Sequence, residues 1–364
     1  MKHSVKEIVV LGMFDLSRLD RAQPVRIHNL TLGLRALAPT TLISGDRGPR
    51  RQAILRFLRT GGLRRMRALY VESSTSTATE SDLLLIGLAR AARIPIIIFI
   101  PDGYQYFPAI FPRAGLKMAL LDAGWRVSNA AYLRLADALV FPSWGLAAYF
   151  PTAQWVDTLL PGGVKGLIAS PLAWEPPTIV YVGAATYRYG SDLLLDAMEQ
   201  VVARHPTARC HFITVDATYL KEHPARHASW LTVEQRASDQ LASVMATATL
   251  AVIPLRRNTY NDLAMPVKLF DSMAHGVPLV VTDCPDMAAI VQELQSGLVV
   301  AENAMALATG IIRLIEDADL AHRLGRNGYD AVQAAHAWSH RAEQLLHMFE
   351  QLESGQGHAH SAHQ

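Results

Sequence analysis

The chain has 364 residues, half of them apolar and 18% charged, which is more than one hydrophobic core comfortably holds and excludes a disordered or fibrous class. Its two cysteines, Cys210 and Cys284, show no metal-type spacing and fit a reduced compartment. The net charge of +2 conceals an asymmetry, +9 over residues 1–164 and −7 over residues 165–364, so two domains facing different partners are expected.

In chain order, the opening "MKHSVKEIVVLGMF" runs straight into a strand pattern whose apolar part is too short for a secretion signal. Strand-like runs follow at 7–13, 39–45, 68–74, 94–100 and 137–143, separated by longer helical patterns. The most lipid-like window, 83–100, contains Arg90 and Arg93, which argues against a transmembrane helix. The stretch 159–177 is rich in Pro and Gly and reads as a linker. The rhythm resumes with runs at 178–184, 209–216, 248–255, 277–283 and 297–302. Continuous Val/Ile/Leu runs alternating with helices predict an α/β chain of two doubly wound Rossmann-like domains facing a cleft. The expected boundaries are 1–164, 165–335, a last helix over 336–353 packing back on the N-terminal domain, and a disordered low-complexity tail over 354–364. A cytoplasmic protein is expected.

Open parallel sheets bind ligands beyond the carboxyl ends of their strands, so the residues just after each run matter most. After "TIVYVG", Gly183 permits close backbone approach and Arg188 precedes an amphipathic helix, an arrangement suited to an anion. A capped surface helix with a solvent-facing Arg188 explains the same residues. After "ATLAVIPL" comes "RRNTYNDLAMPVKLFDSMAHG", in which Val267, Phe270, Met273 and Ala274 make an apolar helical stripe. Lys268 and Asp271 lie off that stripe, three apart, near a helix start. They are either an i,i+3 surface pair or contacts for a phosphate and for hydroxyl groups, and spacing leaves both open.

"PVKLFDSMAHGVPLVVTD", preceded by "AVIPL" and followed by "MAAIVQELQSGLVV", resembles the signature region of GT-B nucleotide-sugar glycosyltransferases, more narrowly of glycosyltransferase family 4 (group 1). "YVGAATYRYGSDLLLDA" is similar to another segment of that family, and "ADALVFPS" to its usual last strand before the linker. The resemblance implies that Asp271 binds the donor ribose, as the second acid of an E-x7-E motif. The first acid would fall at Leu263, so neighbouring Asp262 is the candidate replacement on the donor-sugar side. The family's phosphate-binding cations are replaced by Ala184 and Tyr189, which leaves Gly183, Arg188 and Lys268 as the donor phosphate candidates.

On the acceptor side, "IPIIIFIPDGYQYFP" puts Asp102 just past a buried strand, where the resemblance implies a catalytic role and a turn-forming role is the plainer reading. Gly12, Phe14 and Tyr104 are the accompanying acceptor-side candidates, with Tyr106 and Phe107 available for stacking. Residues 47–67 hold eight arginines and no acid, with Ile54, Leu55, Phe57 and Leu58 between them. Such a segment fits either an anionic membrane surface or a solvated loop, and no motif supports nucleic acid.

The implied activity is transfer of a sugar from a nucleoside diphosphate sugar to an acceptor hydroxyl, retaining and independent of metal or cofactor, in glycan, lipid-linked or polysaccharide synthesis. The alternatives are an inverting transferase with Asp102 as general base, a nucleotide-sugar epimerase, and a catalytically weak GT-B partner subunit. A lipid-linked acceptor would place the protein peripherally on the inner face of the plasma membrane.

Overall fold

The structure is a computed structural model that describes residues 6–17, 19, 21–74, 77–152, 154–166, 174–236 and 240–355. Two compact units divide the chain, one drawn from residues 1–18, 23–160 and 339–364, the other from 19–22 and 161–338. Part of the expected linker (167–173) and most of the expected tail (356–364) lie outside the described residues.

The first unit runs β1 (Glu7–Gly12), α1 (Ala22–Leu37), β2 (Thr40–Ser44), α2 (Arg47–Arg59), α3 (Gly62–Arg65), β3 (Met66–Glu72), α4 (Glu80–Ala91), β4 (Ile96–Phe99), α5 (Leu116–Leu135), β5 (Ala138–Phe141), α6 (Trp144–Ala147) and β6 (Trp155–Thr158). Its sheet has the order β2-β1-β3-β4-β5-β6 with every pairing parallel. Alternate residues of each strand serve opposite cores. Val9, Leu11, Leu69, Val71, Ile96 and Ile98 enter one, while Ile8, Val10, Ala68, Tyr70, Ile97 and Phe99 enter the other. A strand buried on both faces has no polar side to show, which is why these runs read as continuous aliphatics.

The second unit runs β7 (Thr178–Val182), α7 (Ser191–Arg204), β8 (Arg209–Ile213), β9 (Leu231–Glu234), α8 (Leu241–Met245), β10 (Leu250–Ile253), α9 (Val267–Ala274), β11 (Leu279–Thr282), α10 (Pro285–Glu293), β12 (Gly297–Val300), α11 (Ala304–Glu316) and α12 (Ala318–Ala331). Its order, β12-β11-β10-β7-β8-β9, is again all parallel. The order of strand addition reverses at β7, with β8 and β9 added on one side and β10 to β12 on the other, so β7 and β10 flank the switch point where such sheets open a ligand crevice. The last helix, α13 (Trp338–Glu353), packs Ala342, Leu345, Met348 and Phe349 into the first unit's core beside Ile8 and Val10. Each run expected from sequence overlaps a strand. The two strands not expected, β6 and β9, both sit at a sheet edge, where half-exposed "WVDT" and "LTVE" carry too little aliphatic character to stand out.

Local chemistry closes the elements. Thr79 caps α4 in a reciprocal box with Asp82, whose carboxylate also takes two hydrogen bonds, 2.8 and 2.9 Å, from buried Arg50 on α2. α2 therefore docks on α4 through a desolvated bidentate pair as well as through Ile54 and Phe57, both buried. The packed helices α2 and α3 overturn the solvated-loop alternative for 47–67, and two of the four apolar residues expected between the arginines are spent on the core. Ile54 and Phe57 point into the core and Leu58 packs against them, leaving α2 a surface of exposed arginines.

Candidate functional site

The switch point of the second sheet is built from two loops. After β7, Gly183 adopts φ +129°, a conformation that side chains resist. Tyr181 Oη donates 2.6 Å to the Ala184 carbonyl and fixes the loop's first turn. A 3₁₀ turn over Tyr187–Tyr189 then leads to Gly190, at φ +69°, which precedes α7. A Cβ on Gly190 would lie 1.6 Å from the Pro254 carbonyl oxygen, so the β7 and β10 loops touch backbone to backbone only because this residue is glycine. Asn261, almost fully buried, strengthens that seam by donating Nδ2 to the carbonyls of Arg188 (3.0 Å) and Arg256 (2.6 Å).

Lys268 and Asp271 stand on α9 beside this seam. Pro266 sits at the N-cap, and Gly276, at φ +72°, follows the last turn. The buried residues of α9 are Leu269, Phe270, Ser272, Met273 and Ala274, so burial shifts from the expected Val267 to Leu269 and wraps most of the helix. Lys268 Nζ lies 4.4 Å from the centre of the Tyr181 ring and 3.2 Å from where a Gly183 Cβ would stand. The cation thus reaches the mouth of β7, the place left vacant by Ala184. Neither Lys268 nor Asp271 forms an ion pair with any described residue, so the surface-pair reading fails. Burial pushes the Lys268 ammonium down to about 7 and the Asp271 carboxyl up to about 7. Two charges held without counter-charge at a strand-end crevice are poised for a ligand with complementary groups.

The neighbouring charges are engaged differently. Asp262 receives a bidentate pair from Arg257, 2.6 and 3.0 Å, and is tied up in that pair. Arg257 also approaches Asp283 at 3.6 Å. Arg256 pairs with Asp192 and with Glu302 (3.1 Å), and its guanidinium lies 4.0 Å over the Tyr187 ring. The Arg188 carbonyl is bound into the seam and its side chain is half-buried. Arg256 and Arg257 thus have carboxylate partners, while Lys268 forms no ion pair with a described residue and lies over the Tyr181 ring. Sequence reading missed Arg256 and Asn261. The signal was present in "NTYND", since an Asn pair in a strand-end loop favours Asx turns, and Asn258 Oδ1 does accept from the backbone N–H of Tyr260 and Asn261.

In the first unit, Gly12 ends β1 against Ile27, and Phe14 is partly packed on the core. Asp102 follows β4, half-buried, and accepts 3.3 Å from Tyr104 Oη. The Tyr104 ring lies 4.5 Å from that of Phe111, and Tyr106 packs on Trp125 and Phe150. Phe107 is buried against Tyr149 and is unavailable for stacking on a ligand. A buried cluster that sequence reading missed closes β3. Glu72 accepts from Tyr70 Oη (2.6 Å) and pairs with Arg26 (2.9 Å), whose guanidinium stacks 3.6 Å over Phe99. Burial holds the Glu72 carboxyl above its usual range, against the pull of Arg26 and Tyr70. Among the described residues no three His, Cys, Asp or Glu side chains converge as metal ligands would.

Residues 176–317 match the family of group 1 glycosyl transferases. Among solved structures, sucrose-phosphate synthase from Thermosynechococcus elongatus superposes with a TM-score of 0.71 at 16% identity, covering 96% of this chain and 100% of that one. Anabaena HepE in complex with UDP-glucose gives 0.67 at 13%, covering 94% and 99%. WaaG, a glycosyltransferase involved in lipopolysaccharide biosynthesis, gives 0.63 at 12%, covering 93% and 98%. No curated protein sequence matches the chain at a significant level. The fold is GT-B, with two Rossmann-like units, and the match to the group 1 glycosyl transferases lies within the second unit.

Proposed function

We propose, from the group 1 match at residues 176–317 and the GT-B fold, that this protein transfers a sugar from a nucleoside diphosphate sugar to an acceptor hydroxyl. The observation that carries the reading is Lys268 Nζ over the Tyr181 ring at the mouth of β7, unneutralised, with Asp271 one turn further along α9. In this reaction the bond from the sugar's anomeric carbon to the phosphate oxygen breaks as the bond to the acceptor oxygen forms. Negative charge grows on the departing diphosphate, and an ammonium in a desolvated crevice stabilises it. The backbone N–H groups at the start of α9 and beyond Gly183 add to that field, so the reaction as proposed requires no metal. Asp271 accepts from the ribose hydroxyls. Arg188 remains a second phosphate candidate, while Asp262, bound by Arg257, serves to position the β10 loop.

We take the transfer to be retaining, as in family 4, with the acceptor proton passing to the leaving phosphate oxygen and Asp102 orienting the acceptor, a glycan or lipid-linked hydroxyl. The position of Asp102 past β4, with Tyr104 Oη on its carboxylate, also suits a general base for inversion. Calorimetry with UDP, GDP and ADP, run beside a donor-hydrolysis assay, tests the function, and absence of binding to all three would refute it. The anomeric configuration of the product, read by NMR, decides between retention and inversion.

A further inference from the structure

Helix α5 exposes apolar residues over its first three turns. Its buried residues are Trp125, Ser128, Asn129 and Tyr132, two of them polar. Toward solvent it turns Leu116, Leu120, Ala123 and Val127, spaced by four, three and four residues, so that they form one stripe along the helix. Leu116 is 78% exposed, Leu120 65% and Val127 65%, and Leu121 stands 37% exposed beside them. Isolated surface leucines are ordinary, but a continuous stripe of them marks a surface that is covered in use.

The charges around the stripe choose the cover. Leu116, Leu120, Leu121, Gly124 and Thr77 line a shallow hollow of about 510 Å³, with Arg47 of α2 and Lys117 at its rim. α2 holds five arginines and no acid. On α5 the one acid, Asp122, is bound by Arg113 at 2.5 Å, while Lys117 and Arg126 are exposed. A leucine stripe flanked by cations has the chemistry of an interfacial helix, apolar toward acyl chains and basic toward headgroups. Among the described residues no helix is long and apolar enough to cross a membrane, so contact of this kind would be with the surface.

We propose that the α5 stripe, with Arg47 and Lys117, docks the first unit on an anionic phospholipid surface. α5 supplies the apolar contact and α2 the attraction, a division of labour that neither helix achieves alone. The inference is independent of the donor site.

Co-sedimentation of the full chain with vesicles tests it. Wild type is expected to bind vesicles of about two parts phosphatidylcholine to one part phosphatidylglycerol, to ignore pure phosphatidylcholine, and to be released by salt. Replacing Arg47 and Lys117 by Gln should raise the lipid needed for half-binding by about fivefold per lost cation. Replacing Leu116 and Leu120 by Ser should abolish binding with an unchanged circular dichroism spectrum and unchanged nucleotide affinity, because both side chains lie outside the core. Failure of wild type to bind anionic vesicles overturns the proposal, as does wild-type binding by the Leu double variant. Sedimentation velocity adds a further check. A dimer that the Leu substitutions dissociate, without vesicle binding by wild type, would assign the stripe to a second copy of the chain instead.

Discussion

Nucleotide binding should respond to pH through Lys268 and Asp271 in opposite directions. With both groups near 7, Lys268 is about 90% protonated at pH 6 and about 10% at pH 8, and Asp271 is ionised in the reverse proportion. A ligand that needs the ammonium and the carboxylate together finds both best at about pH 7, and affinity falls by about threefold one unit to either side. Separating the limbs gives the decisive result. In Asp271→Asn only the Lys268 limb remains, so affinity falls by about tenfold from pH 6 to pH 8; in Lys268→Met only the Asp271 limb remains and affinity rises with pH. Lys268→Met should in addition lose about 1.5–3 kcal/mol of charge-assisted binding, about 10- to 150-fold in Kd. The same burial predicts a stability effect of the opposite kind. A carboxyl raised from 3.8 to about 7 binds protons in the folded state that the unfolded chain has released, so its contribution to stability falls as pH rises through that window. Asp271→Asn should therefore unfold later in urea at pH 8, by as much as about 2–4 kcal/mol. Titration calorimetry across pH 6–8, with whichever nucleoside diphosphate binds, measures the affinities. If Lys268→Met keeps wild-type affinity and the wild-type falling limb, the assignment of the cation is wrong.

Three further outcomes are expected. Gly190→Ala should destabilise the second unit by more than the roughly 1–2 kcal/mol of a left-handed residue, because its Cβ meets the Pro254 carbonyl, and urea unfolding together with loss of nucleotide binding reads this. Asp102→Asn should lower kcat by about a hundredfold or more while leaving nucleotide affinity, measured by calorimetry, where it was. Asp82→Ala strands the Arg50 guanidinium in the core and removes the α4 cap, so a loss of about 3–5 kcal/mol is expected in chemical denaturation.

What could be read from sequence and what could not divide along physical lines. The interior strands were legible because burial on both faces demands unbroken aliphatics, as in Ile96–Phe99 and Leu279–Thr282. Edge strands β6 and β9 were not, since a half-exposed strand has no such demand. The placement of Lys268 and Asp271 at a helix start beyond a strand was legible from Pro266, Gly276 and the Gly–x–Pro register. Their isolation was not. Whether a charge is paired can depend on residues far away in sequence, and here distant Asp192 and Glu302 claim Arg256 and Asp283 approaches Arg257, while Lys268 is left over Tyr181. The same holds for the surface. Sequence marked 47–67 as basic, yet only packing shows that Ile54 and Phe57 face inward while the leucines of α5 face out. Composition and period, being local, determined the elements and the two-unit α/β plan; which side chains share a crevice, and which apolar side meets water, is a matter of long-range packing and was decided by the tertiary structure alone.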